Sequence, residues 1–109
     1  MLNKIVTVKI DRPLGSYHHK YKDLYYPINY GYIENTLSGD GEEIDAYILG
    51  VEQPVSEFTG RVIAVIHRLN DVEDKLVVAP DGVMMSKERI AELTHFQEQY
   101  FDIEIELLT

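Results

Sequence analysis

Along the chain, short stretches of alternating or continuous apolar residues are separated by turns rich in Gly, Pro, Asn and Asp. Ile5-Val6-Thr7-Val8-Lys9-Ile10 is rich in β-branched residues and halts at Asp11-Arg12-Pro13-Leu14-Gly15, where the Pro and the Gly end a strand. Asn29-Tyr30-Gly31-Tyr32-Ile33 alternates as a second strand, its Gly admitting a bulge or a close backbone approach. Ser38-Gly39-Asp40-Gly41 is a turn, after which Ile44 to Leu49 resumes as a strand. Arg61 to Arg68 is a near-continuous apolar run, the pattern of a buried strand. The acidic turn Asn70 to Asp74 then leads into Lys75-Leu76-Val77-Val78-Ala79, predicting a hairpin.

Helical spacing occurs once. Ser86 is a good N-cap, and Ile90, Leu93, Phe96 and Tyr100 follow it on one face at three- and four-residue steps. Asp102 to Leu107 alternates again and predicts a final short strand with one wet face. Ser16 to Tyr26, polar and aromatic, reads as a connection. The fold class expected is mainly β (α+β): a small, highly curved sheet or closed barrel that carries a helix in its C-terminal half. With 109 residues and no repeat, low-complexity tract or linker, the chain reads as one domain over 1–109.

Charge narrows the partners. Lys+Arg 10 against Asp+Glu 19 leaves a net charge of −9, which opposes nucleic-acid backbones and anionic membranes. No stretch approaches the roughly 20 apolar residues that a membrane-spanning helix needs. The N-terminal Met1-Leu2-Asn3-Lys4 opens straight into the first strand without the apolar run of a signal peptide. Cysteine is absent, so disulfides and thiolate metal sites are excluded and a reducing cytoplasm is the expected location.

The acids are not scattered evenly. Asp40, Glu42 and Asp45 crowd a glycine turn that feeds a strand, and three anions within six positions repel one another unless a cation sits among them. Hard oxygen ligands of this kind suit Mg²⁺ or Mn²⁺. A second cluster, Asp71, Glu73 and Asp74, lies at the next turn and is followed at once by Lys75. If both turns stand at the same end of the barrel, they can hold cations in pairs, with Lys75 facing an anionic ligand, which is the apparatus of metal-assisted phosphoryl transfer. Two plainer alternatives stay open at this level: a solvated acidic hairpin turn, and tyrosines that serve the core. The four histidines have no metal-ligand spacing.

The densest signal is Tyr25-Tyr26-Pro27-Ile28-Asn29-Tyr30-Gly31-Tyr32-Ile33 followed by Gly39-Asp40-Gly41-Glu42-Glu43-Ile44-Asp45. It resembles the Tyr-Pro-x-Asn-Tyr-Gly-Tyr-Ile stretch and the Asp-Gly-Asp-Pro-x-Asp motif of the soluble inorganic pyrophosphatases of the first family. The resemblance implies an OB-like five-stranded barrel with a flanking helix, which hydrolyses pyrophosphate to two phosphates with Mg²⁺. It implies that Asp40 and Asp45 are metal ligands and that Asp71, with Glu73 or Asp74, completes the metal sites. It places Glu42 where an aspartate orients or deprotonates the attacking water, and Lys75, Tyr30 and Tyr100 against phosphate. Arg12 and Lys20 are candidates for a further phosphate-binding cation, the N-terminal segment being shorter than in the family. Phe101 stands where the family carries a phosphate-binding lysine, and Glu43 replaces the motif's proline. These departures raise a second reading, a noncatalytic module that binds metal or a phosphorylated ligand. The family resemblance and the tyrosine-rich surface together imply a homo-oligomer.

Overall fold

A computed structural model of the chain describes residues 1–108. Six strands and one helix follow in the order β1 (Ile5–Arg12), β2 (Asn29–Ile33), β3 (Ile44–Ile48), β4 (Glu57–Arg68), β5 (Lys75–Ala79), α1 (Lys87–Glu98) and β6 (Ile103–Leu107). The strands are hydrogen-bonded in the order β1-β2-β3-β5-β4-β6, and β1 also pairs with β4. The circuit β1-β2-β3-β5-β4-β1 is the closed five-stranded barrel of the expected fold class. β6 extends it from the part of β4 that β1 leaves uncovered. All pairings are antiparallel except β3 with β5.

β4 begins four residues before the apolar run that announced it. Its first part, Glu57–Arg61, pairs with β1, and there the outward residues are polar, so hydrophobicity alone marks only the stretch that follows. A bulge between Val62 and Ala64 then sets Ile63 and Ala64 on the same face of the wall. That double step explains why the sequence reads as a continuous apolar run rather than an alternating one. It also turns the strand from β1 toward β6.

Two cores lie on opposite sides of this wall. Val6, Val8, Ala46, Ile48, Val62 and Val78 fill the barrel. Tyr26, Tyr30, Tyr47, Ile63, Ile66 and Ile90 form a second cluster outside it, between the wall and the helix. Full burial of each such aliphatic side chain contributes roughly 1.5–3 kcal/mol, so the strands owe their stability chiefly to these two layers. Gly31 makes the curvature possible: a Cβ there would stand 1.8 Å from the carbonyl oxygen of Lys9 on the neighbouring strand.

α1 starts where Ser86 predicts, the Ser86 hydroxyl accepting the backbone N–H of Arg89 at 3.1 Å. Its inner residues are Ile90, Thr94 and Glu98, with Leu93 and Phe96 packed partly against the outer core. Tyr100 departs from the expected helical face. The helix ends at Glu98 with Gln99 as its C-cap, and Tyr100 lies beyond it, 69% exposed. Among the described residues no helix is long and apolar enough to cross a membrane.

Candidate active site

The pairing of β3 with β5 sets the first half of the site. Ala46, Tyr47 and Ile48 stand beside Leu76, Val77 and Val78, and the same offset brings Asp45 beside Lys75. Both side chains emerge on the outer face of the wall, where Lys75 Nζ donates to Asp45 Oδ2 at 2.6 Å and also to Glu73. Tyr30, from β2, donates its hydroxyl to the same Asp45 oxygen at 2.8 Å. Lys75 is only 3% exposed. Burial lowers its pKa and Asp45 opposes that shift. Burial and then the Asp45 anion push Tyr30 well above the ordinary phenol value, so it remains a donor at neutral pH.

The second half is a buried ion pair that the sequence does not announce. Arg68, the last residue of β4, donates from Nε and Nη2 to both carboxylate oxygens of Glu98 at 2.9 and 2.6 Å. Tyr47 donates to Glu98 at 2.5 Å, Gln97 donates to the Tyr47 hydroxyl, and Tyr26 donates to Gln97. Burial works against the charge on Arg68, but the hydrogen bonds and charge of Glu98 outweigh it, so its pKa rises and the guanidinium stays protonated. Its flat face lies 3.7 Å from the Phe101 ring centre, and its Nη1 reaches Asp71 at 3.3 Å. The aromatic side chain at position 101 thus supports a cation, although it carries none.

Between the two halves opens a cavity of about 500 Å³, with Lys75, Arg68 and Tyr30 in its wall and Tyr100, Phe101 and His18 around them. Arg12 stands opposite Tyr30 across β1 and β2. Its Nη2 meets His19, while its Nε–H is the one buried side-chain N or O, among the described residues, without a partner. An unpaired buried donor is costly, and Arg12 is not among the residues that line the cavity. Lys20 lies on the exposed connection, its ammonium 5.5 Å from the Tyr21 ring centre.

The two acidic turns do stand at the same end of the barrel. Gly39 presses against the second turn, where a Cβ would fall 2.2 Å from the carbonyl oxygen of Val72. Gly39→Ala is therefore expected to separate the turns or displace one of them, costing about 1–3 kcal/mol in urea denaturation; an unchanged midpoint would show that this contact does not hold them. Asp40 and Glu42 lie exposed on the first turn, Asp40 Oδ1 accepting the Glu42 N–H at 3.0 Å. The Ser38 hydroxyl and that N–H hold the Asp40 carboxyl below its ordinary pKa, with a smaller contribution from Lys75.

Asp74 is not brought to this cluster. Side chains alternate along β5, so Lys75 faces outward over the wall and Asp74 turns away, to His67 Nδ1 at 3.0 Å, while His67 Nε2 meets Glu106 at 3.0 Å. No three acidic or histidine side chains converge at metal-binding distance among the described residues. The donor chemistry nevertheless fits a hard divalent cation. Asp45 and Glu73 share one ammonium and Asp40 feels the same charge, leaving three carboxylates balanced by a single lysine.

The model of the inorganic pyrophosphatase family matches residues 3–106. An inorganic pyrophosphatase of Bacillus sp. (strain PS3) is 31% identical over 94% of this chain and 79% of its own length. One from Helicobacter pylori is 30% identical over 72% of this chain, but the match spans only 55% of that protein. Among solved structures, the inorganic pyrophosphatase of Ehrlichia chaffeensis superposes with a TM-score of 0.73 over 98% of this chain and 88% of its own, at 19% identity. At that identity the superposition speaks for the fold alone.

Proposed function

Because the chain belongs to the inorganic pyrophosphatase family, we propose that it hydrolyses pyrophosphate to two orthophosphates at the cavity beside Asp45, Glu73 and Lys75. The observation that carries this reading is the juxtaposition, at one end of the barrel, of Lys75 and Arg68 in the cavity wall with the carboxylates of Asp45 and Glu73. An anion with several negative charges needs the first group, and the cation that accompanies it needs the second.

The family is metal-dependent, and Mg²⁺, with Mn²⁺ as a substitute, is the ion this donor set favours. Asp40, Asp45, Glu73 and Asp71 would hold it; Asp74, paired with His67 on the other face, would not. When bound, the metal supplies Lewis-acid activation of water and neutralises charge on the phosphates. The chain's own residues do the rest. Lys75 and Arg12 bind phosphoryl oxygens, Tyr30 donates to Asp45 and fixes its orientation, and Glu42 accepts the proton that water gives up. Arg68 and Phe101 take the place of a flexible lysine, presenting a guanidinium held flat by a ring. Tyr100 closes the cavity from its rim, and Lys20, 5.5 Å from the Tyr21 ring centre, adds a cation beside it. The same reading makes the protein a cytoplasmic enzyme, and the exposed tyrosines favour a homo-oligomer.

The test is phosphate release from pyrophosphate with Mg²⁺ or Mn²⁺, comparing the wild type with Asp45→Asn purified in parallel. Metal-dependent release in the wild type and a loss of at least about a hundredfold in the variant are expected. A second reading, a noncatalytic binding module, draws on one observation: Asp45 and Glu73 are already satisfied by Lys75. A thermal shift with Mg²⁺ but no release from folded protein would establish it.

A further inference from the structure

The last turn of α1 brings an uncharged polar side chain to the wall that holds the two buried cations. Gln97 follows Thr94 by three residues and Ile90 by seven, so it shares the inner side of the helix with both. It is half-buried and lines the cavity together with Lys75, Arg68 and Tyr30. Burying an amide is costly unless its oxygen and its nitrogen both find partners. Here both do: the Tyr26 hydroxyl donates to Gln97 Oε1 at 2.6 Å, and Gln97 Nε2 donates to the Tyr47 hydroxyl at 2.8 Å.

These partners leave the amide one orientation. Tyr47 has a single hydroxyl hydrogen, which goes to Glu98, since an ionised carboxylate only accepts. The Tyr47 oxygen must therefore accept from Gln97, and a flipped amide would set the Gln97 carbonyl oxygen against it. Burial pushes the Tyr26 pKa up to about 12. Burial and then the Glu98 charge hold Tyr47 well above the ordinary phenol value, so both phenols keep their hydrogens at neutral pH. A primary amide carries two hydrogens on its nitrogen. Tyr47 takes one, and neither phenol uses the other. Glu98 also receives both Arg68 donors, so one rigid frame fixes the guanidinium and the amide together.

We infer that Gln97 is a further substrate-binding residue of the pyrophosphate site, its second Nε2–H donating to a phosphoryl oxygen beside the one that Arg68 holds. This rests on the pyrophosphatase reading above and adds a residue to it. Phosphoryl oxygens only accept, and the amide meets them with a hydrogen that its other partners cannot use. The donor is aimed before the substrate arrives, because Tyr26 and Tyr47 hold the two ends of the amide, so binding need not reorganise it. A carboxylate at the same position would have the shape of the amide without the hydrogen, and would add a negative charge facing the phosphates.

The experiment compares wild type, Gln97→Met, Gln97→Glu and Tyr26→Phe under identical Mg²⁺. It measures phosphate release from pyrophosphate, the rise in Tm with orthophosphate, which is not turned over, and the urea midpoint. Gln97→Met is expected to raise KM about tenfold, the loss of one hydrogen bond to a charged acceptor, and Gln97→Glu to raise it further. The orthophosphate-dependent rise in Tm should shrink in the same order. Tyr26→Phe keeps the donor but frees the amide to turn, and should raise KM less than either. A KM and an orthophosphate shift that match the wild type in Gln97→Glu, with only the urea midpoint lowered, would show that Gln97 merely bridges two phenols and would overturn the inference. If Gln97→Glu does not fold, an unchanged KM in Gln97→Met overturns it alone. No phosphate release from folded wild type would remove the hydrolytic reading. The orthophosphate shift would then decide: smaller in Gln97→Met than in wild type, it supports the contact; absent from wild type, it sinks it.

Discussion

Glu98→Ala is expected to destabilise the protein by about 3–5 kcal/mol, the cost of leaving one member of a buried ion pair without its partner. The Glu98 carboxylate is almost wholly inaccessible and answers both Arg68 and Tyr47. Without it, a guanidinium with little access to water and a buried phenol both lose their acceptor. Urea denaturation measures the loss through a lower midpoint. Arg68→Met combined with Glu98→Leu should recover most of it, because removing both charges also removes the desolvation they impose. A single variant within about 1 kcal/mol of wild type would mean that water reaches Arg68 and that the network is not closed.

Lys75→Met is expected to lower kcat/KM by about 10²–10³, the range seen when one preorganised charge-stabilising donor is removed from a reacting centre. The ammonium is nearly enclosed and has the Asp45 and Glu73 carboxylates on it, so no neighbouring cation replaces it without rearrangement. The variant should also respond more strongly to divalent cations. With the lysine gone, the carboxylates repel one another until a metal arrives, and the Mg²⁺-dependent rise in Tm should exceed that of the wild type. Turnover within a few-fold of wild type would show that Lys75 serves the carboxylates and not the substrate.

How much of this was legible beforehand differs from residue to residue. The strand that carries Tyr30, the one that begins at Asp45 and the one that starts at Lys75 were visible because each has a clean β pattern next to a motif with chemistry in it. The acidic turn was less readable. Glu73 and Lys75 share a face and Asp74 does not, but alternation cannot be counted back through a turn whose backbone no longer alternates. Tyr100 fitted the helical period by arithmetic, yet period says nothing of where a helix stops, and the helix stops at Glu98. Glu98 itself lies four residues beyond Thr94 and eight beyond Ile90, on the inner face. A charge at an inward position acquires meaning only through its partner, and Arg68 lies 30 positions earlier, at the end of a strand. A reading that moves along the chain cannot see a pair of that kind. In the sequence Arg12 stands out only by its charge, whereas its buried, unpartnered Nε–H belongs to the folded state alone.

Closure of the barrel by β1 and β4 bears on how the molecule reaches its native state. Ile5 lies opposite Arg61, Lys9 opposite Glu57, and β3 runs parallel to β5 across a separation of 30 residues. None of these ladders can be nucleated by a tight turn, and each must bear the entropy of a long loop before its hydrogen bonds and side chains compensate. The β2–β3 and β4–β5 hairpins are local by comparison, and the β4–β5 hairpin, with the shorter connection, offers the natural place for structure to begin. Barrels dominated by such distant pairings fold over milliseconds to seconds, roughly a thousandfold slower than helical bundles of similar size. During that interval the free edge of the long β4 strand is open to other chains. The glutamates of β6, Glu104 and Glu106, place like charges along the strand that covers this edge in the native fold, which discourages wrong partners there.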